Sequence, residues 1–214
     1  MKIARRSFVS AIFVLGAAFA VAAPASAQEV GKDYSLISPT QPTEDKSKIE
    51  VSEFFSYGCP HCSDFHPMVS AWAAKLPSDV VFKKVPITFN RGAWANIAKL
   101  YYSLKITGDL DRLESDVFKA IHVDRANLFE PAALADWVAK KGVDTQKFNE
   151  AFKSFGVASQ VKRGDQMAVA YKVQGVPALA IDGKYMVGGK DFKEQLEIAD
   201  KLIAKARAEK AGKK

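Results

Sequence analysis

Apolar residues along this chain change their period several times, and each change marks an element. Ile49–Phe55 is a short, strongly apolar run with polar residues before it and Tyr57-Gly58 after it, which predicts a β-strand. From Pro60 to about Leu76 the period is helical, with Phe65, Met68, Trp72 and Leu76 on one face. Pro60 falls at a first helical position, where its fixed φ and missing N–H are harmless. Pro67 lies inside the same helix and predicts a kink. Residues 80–89 predict a second strand. Helical spacing then holds over 93–104, 110–121, 132–141 and 145–155, with one more helix over 157–173. Leu110, Leu113, Val117 and Ile121 mark one such face, and Phe148, Phe152 and Phe155 another, all expected in the core. Gly108, Asp109, Gly142 and Asp144 supply stops and caps.

Strands return over 178–181 and 184–187, on either side of Asp182-Gly183, a strong two-residue hairpin signal. Asp191 caps a last helix carrying Phe192, Leu196, Leu202 and Ile203. Residues 28–47 are polar, with Pro39 and Pro42, and read as an extended lead-in. The order of strand, helix, strand, helical block, hairpin and helix predicts an α/β sheet interrupted by a helical insertion.

The first residues belong to a different class. Lys2, Arg5 and Arg6 precede an apolar run from Phe8 to Ala23, too short for the roughly 20 residues of a membrane span. Ala25-Ser26-Ala27 completes a secretory signal, so the mature chain is expected to begin near Gln28. Arg5-Arg6-Ser7-Phe8-Val9 partly matches a twin-arginine signal, but arginine pairs are common in charged starts and the general export route is favoured. Without those three basic residues the formal net charge of +7 falls to +4. That mild excess, with no basic stripe interleaved with aromatics, does not suggest nucleic-acid binding.

Export changes the meaning of the two cysteines, Cys59 and Cys62, the only ones in the chain. In an oxidising compartment the pair can persist as a disulfide. A bridge across two residues closes so short a loop that it restrains the unfolded chain little, which points to reactivity rather than stapling. Cys59 sits at a helix start, where unpaired N–H groups and the helix dipole favour an anion. Cys62 lies one turn inward and is expected to be more buried, while His61 between them can donate a hydrogen bond or carry positive charge. A stabilised Cys59 thiolate stabilises the reduced form and makes the disulfide an oxidant. A metal reading is weaker: Cys59, Cys62 and His66 have tolerable spacing, but a closed zinc site needs a fourth ligand, and His122 lies far along in the helical block. His66 reads as an ordinary helix residue. Glu53 shares a strand face with Ile49, Val51 and Phe55, so a carboxylate stands in an apolar row. Burial would raise its pKa and suit it to proton exchange with Cys62, with Lys84 as a candidate partner; an edge strand would leave it solvated instead.

The run Glu53-Phe54-Phe55-Ser56-Tyr57-Gly58-Cys59-Pro60-His61-Cys62, and Gly175-Val176-Pro177-Ala178 followed by Asp182-Gly183-Lys184-Tyr185, resemble the DsbA family of bacterial periplasmic thiol:disulfide oxidases. The likeness covers nearly the whole mature chain. It implies a thioredoxin-like fold over 28–90 and 174–214 with an inserted all-helical domain over 91–173. It implies Cys59 as exposed nucleophile, Cys62 as buried resolving thiol and His61, after Pro60, as the residue that sets the thiol pKa. Low thiol pKa and oxidising potential are properties for which this family is itself the standing example. Glu53 and Lys84 become a buried charged pair assisting proton transfer, and Pro177 a cis-proline facing the disulfide. Val176, after Gly175, would offer backbone groups to an extended substrate. Tyr57-Gly58 departs from the bulkier residues of some members. No cofactor beyond the redox-active disulfide is implied. The expected partners are reduced exported polypeptides and a DsbB-like, quinone-linked membrane reoxidase, met in the periplasm by a monomer. Isomerase or reductase activity, or non-redox holding of peptides, are the alternatives; the few residues before Ile49 leave no room for the dimerisation domain of dedicated isomerases.

Overall fold

Strand β2 (Ile49–Phe55) is buried at every position, so its environment closes from both faces and both edges. The computed structural model describes residues 29–212, and the expected export signal lies outside the described residues. Around β2 stand β1 (Tyr34–Leu36), β3 (Val80–Pro86), β4 (Ala178–Ile181) and β5 (Tyr185–Val187), in the sheet order β1-β5-β4-β2-β3. β2 pairs parallel with β3 and antiparallel with β4, while β1 and β4 both pair antiparallel with β5. The helices are α1 (Pro60–Ala73), α2 (Gly92–Thr107), α3 (Leu110–His122), α4 (Pro131–Lys140), α5 (Thr145–Lys153), α6 (Phe155–Ala170) and α7 (Phe192–Ala211). Helices α2 to α6 form the insertion between β3 and β4.

The period of two sorts the side chains of β2 between two layers. Ile49 and Val51 meet Phe65 and Val69 of α1 and Leu202 of α7. Phe54 points the other way, against Ala168 and Tyr171 at the end of α6. Phe55 reaches a third cluster, built by Ile97, Leu100 and Leu104 of α2, Leu113 and Val117 of α3 and Phe148 of α5. Tyr57, Cys59 and Cys62 belong to that same cluster, so one apolar core crosses from the sheet into the insertion at the cysteines. Each fully buried large side chain there contributes about 1.5–3 kcal/mol of transfer free energy.

Several elements differ from the expectation, each for a local reason. β1 lies inside the polar lead-in; only Tyr34 of its three residues is buried, so it carries no readable alternation and is made by pairing with β5. β3 ends at Pro86, because Phe89 and Asn90 take positive φ and Thr88 bonds Asp165 twice, each time at 2.7 Å. α1 buries Cys62, Phe65, His66 and Val69, whereas Met68 is 39% exposed. α5 and α6 are separated by Ser154, whose extended ψ breaks the helix and whose hydroxyl accepts from the Val157 N–H. Phe155 therefore opens a new helix instead of continuing the Phe148 face, and it is 87% exposed rather than in the core. α6 stops at Ala170, followed by Lys172 in the left-handed region.

Asp182 and Gly183 both have positive φ, the geometry of a tight hairpin whose twist matches the strands it joins. Gly183 also lies against the lead-in: a Cβ there would come 2.1 Å from the Gln41 carbonyl oxygen, and the Gln41 N–H donates to the Gly183 carbonyl at 2.9 Å. Gly183→Ala is expected to lose more than about 1 kcal/mol in denaturant unfolding. An unchanged midpoint would contradict this reading of the turn.

Candidate functional site

The chain leaves β2 through Ser56, Tyr57 and Gly58 and turns at once into α1. The Ser56 carbonyl accepts from Cys59 N–H at 3.1 Å, and the Ser56 hydroxyl accepts from Gly58 N–H at 3.2 Å. Gly58 is required because Trp94 covers it; a Cβ would stand 2.9 Å from the indole nitrogen. Tyr57 is buried with its ring edge-on to Phe55 and Phe118. His122 donates from Nε2 to the Tyr57 carbonyl at 2.7 Å, so this histidine braces the loop ahead of the cysteines rather than standing apart in the helical block.

Cys59 is the N-cap residue of α1 and Pro60 its first helical residue. The Cys59 carbonyl accepts from Cys62 N–H at 3.1 Å and Ser63 N–H at 3.2 Å. The sulfurs are free thiols in this structure. Cys62 has no exposure and Cys59 only 7%, so the outer cysteine is the more accessible one but is largely covered. In its thiol form Cys59 donates to the Val176 carbonyl at 3.3 Å, and the Val176-Pro177 peptide bond is cis. Gly175 precedes it in the same loop and nothing lies within 4 Å of a Cβ built on it.

The electrostatics of the pair are opposite and coupled. The Cys59 pKa is lowered to about 6, first by a hydrogen bond from the Cys62 thiol, against desolvation, then by the backbone N–H groups of Cys62 and His61. The charge of His61, an exposed residue, makes the smallest contribution named. The Cys62 thiol is pushed far up, first by burial and then by the same sulfur–sulfur hydrogen bond that lowers its neighbour. Cys62 is therefore a thiol wherever Cys59 is a thiolate.

A buried polar cluster acts on the pair electrostatically, the Glu53 charge helping to raise the Cys62 pKa. Glu53 faces Lys84 across the β2–β3 ladder and is 2% exposed, which excludes the edge-strand alternative. Lys84 Nζ stands 3.8 Å from Glu53 Oε2, an ion-pair distance too long for a hydrogen bond, and Oε2 has no hydrogen-bond partner. Burial raises the Glu53 pKa to about 7, with Lys84 opposing and Glu114 adding to the rise. Lys84 is closer to a residue that sequence reasoning missed, donating to Glu114 Oε1 at 2.7 Å. It also stands 3.3 Å from His66 Nδ1, with Ser115 Oγ 2.9 Å from His66 Nε2. Burial and the Lys84 charge lower the His66 pKa to about 4, so the ring is neutral; Nδ1 accepts from the lysine and Nε2–H donates to Ser115. His66 thus belongs to this cluster and does not join the cysteines. Among the described residues no group of three or more His, Cys, Asp or Glu could hold a metal ion. Glu114 was findable: with Val117, Phe118 and Ile121 it falls on the buried face of α3 at helical spacing.

Comparison with known proteins gives one consistent likeness. Residues 50–199 match the model of the DSBA-like thioredoxin domain. A "Thiol:disulfide interchange protein DsbA" of Bordetella parapertussis is 43% identical over 195 residues, 89% of this chain and 92% of that protein. The protein of that name from Pseudomonas aeruginosa is 38% identical over 209 residues, covering 95% and 98%. A crystal structure of Pseudomonas aeruginosa DsbA superposes with a TM-score of 0.80 over 86% of this chain and 96% of that one, at 38% identity. The oxidoreductase DsbA of Xylella fastidiosa gives 0.79 over 85% and 98%, at 34% identity. The sheet with its α2–α6 insertion is thus a thioredoxin-like fold of this kind.

A group whose folded pKa is raised stabilises the fold below its unfolded pKa and loses that contribution as pH rises through the folded value. For Glu53 that window runs from about 4.5 to about 7. Glu53→Gln is therefore expected to match the parent protein in stability at pH 4 and to exceed it by roughly 3 kcal/mol at alkaline pH. Parallel stability curves for the two proteins across that range would contradict the burial of a carboxyl with a raised pKa at residue 53.

Proposed function

The chain belongs to the DsbA family of thiol:disulfide interchange proteins, and we propose that it passes the Cys59–Cys62 disulfide to reduced, exported polypeptides in the bacterial periplasm. It is a thiol:disulfide oxidoreductase. The observation that carries the oxidising direction is the depressed Cys59 pKa, which favours the dithiol over the disulfide.

In the proposed cycle a substrate thiolate attacks the Cys59 sulfur. The S–S bond breaks, a mixed disulfide forms at Cys59, and the electron pair leaves on Cys62. That sulfur cannot remain an anion in its buried place, so it takes a proton, and Glu53 is the donor. With its pKa near 7, Glu53 holds its proton about half the time at neutral pH and can both give and recover one. A second substrate thiolate then attacks the substrate sulfur, and Cys59 leaves as the stable thiolate. The substrate has lost two electrons and the Cys59–Cys62 pair has gained them. Closing the ring again needs an external oxidant, for which a DsbB-like, quinone-linked membrane reoxidase is the proposed partner. Val176, next to the attacked sulfur, is the proposed docking point for an extended substrate backbone, with Gly175 and Pro177 shaping the loop. His61 supports the thiolate mainly through its backbone N–H.

Two measurements test this reading together. Cys59→Ala is expected to abolish oxidation of a reduced two-cysteine peptide; undiminished oxidation would overturn it. In a buffer of equal reduced and oxidised glutathione the native pair is expected to be found mostly as dithiol. A pair that stays bridged there would contradict the oxidising direction and favour the reductase or isomerase alternative.

A further inference from the structure

The Lys84 ammonium has two carboxylates in reach and is bound to the one that takes no part in the proposed cycle. It donates to Glu114 at 2.7 Å and to neutral His66 at 3.3 Å, and it stops 3.8 Å short of Glu53. Glu53 Oε2 is left buried without a hydrogen-bond partner. Such an atom is costly as a carboxylate and tolerable on a protonated carboxyl. Glu114 comes from α3, in the insertion, while Lys84 and Glu53 come from the sheet. The arrangement therefore exists only when the insertion is docked.

We propose that Glu114 is a positioning residue of the redox reaction: by holding Lys84, it withholds from Glu53 the cation that would otherwise fix it as a carboxylate, and so keeps Glu53 able to hand a proton to Cys62. The inference rests on the reading of Glu53 as proton carrier given above. The proton balance is simple. As the Cys59–Cys62 bond breaks, the Glu53 carboxyl gives its proton to the departing Cys62 sulfur and becomes a carboxylate, which regains a proton from water before the next turnover.

The other titratable groups facing the cluster leave this balance intact. From α1 they are His66, kept neutral by a pKa near 4, and Cys62, kept a thiol. From the loop after β2 and from α2 they are Tyr57 and Tyr101, both raised by burial and by the negative charge of Glu114 and Glu53. Glu53 is the one of these groups whose pKa is raised to about 7. None of the groups that shift Cys59 belongs to this cluster, apart from Cys62 itself.

The test is Glu114→Gln in the full chain, read by the side-chain carbon NMR titration of Glu53, assigned by its loss in Glu53→Gln. The Glu53 midpoint is expected to fall by about 1–2 pH units as Lys84 turns to it. The rate at which a reduced peptide opens the disulfide at pH 7 is expected to drop about five- to fifty-fold, following the fraction of protonated Glu53. Glu114→Asp, which keeps a carboxylate at shorter reach, is expected to show a smaller shift of the same sign and decides the matter should Glu114→Gln not fold. A Glu53 midpoint that stays near 7 in these variants overturns the role of Glu114 even if Glu53→Gln slows opening. An opening rate unchanged in Glu53→Gln removes the proton-carrier reading, and the role of Glu114 with it.

Discussion

The coupling of two neighbouring sulfurs, the buried Cys62 thiol and the outer Cys59, organises the chemistry of this protein. It acts on both ends at once, lowering the pKa of the outer sulfur and raising that of the buried one. Everything nearby either strengthens that asymmetry or deals with its consequence. Pro60 starts α1 immediately after Cys59, which puts the positive end of that helix beside the outer sulfur, the Cys62 N–H itself going to the Cys59 carbonyl. Trp94 and Phe129 close over Gly58, and His122 holds the Tyr57 carbonyl, so the turn that presents the two sulfurs is fixed from the insertion side.

The consequence is a proton problem. A sulfur that must stay protonated needs a carrier when it accepts or gives up an electron pair. In the proposed cycle that carrier is the carboxyl of Glu53, on the most deeply buried strand, whose charge acts on Cys62. A buried Glu53 with a full ion pair would be locked as an anion; with no cation nearby it would be locked as an acid. Lys84 at 3.8 Å, held by Glu114, leaves it between those limits. The insertion thus does more than cover the site, since its helix α3 supplies the residue that positions Lys84. The shared apolar core around Phe55, Tyr57, Leu113 and Val117 keeps that helix in place.

Much of this was legible in the sequence because it follows from periodicity and from local chemistry. β2, the hairpin about Asp182-Gly183 and the helical block announce themselves by spacing and by turn residues. The Cys59–Cys62 pair and a carboxylate in the apolar row of β2 point to the site without any coordinates. What was hidden depends on pairing over long range. β1 is too short and too polar to carry a pattern, and exists through its register with β5. His66 looked ordinary because its partners, Ser115 and Lys84, come from elements distant in sequence. His122 seemed remote for the same reason. Glu114 stood on an apolar helix face, as Glu53 stands in an apolar strand, but nothing local tells which of the two acids Lys84 will choose. His61 drew attention by lying between the cysteines, yet it is exposed, and a charge facing water acts more weakly on Cys59 than the neighbouring buried Cys62 thiol.

The most direct measurement is the ultraviolet absorbance of the Cys59 thiolate in the reduced, folded protein as pH is varied, with Cys62 present and with Cys62→Ala. The native protein should titrate near pH 6, and removal of the Cys62 thiol should move the midpoint clearly upward. A native midpoint near the ~8.5 of a free cysteine, or one indifferent to the loss of Cys62, would contradict the claim that the Cys62 thiol sets the reactivity of the pair.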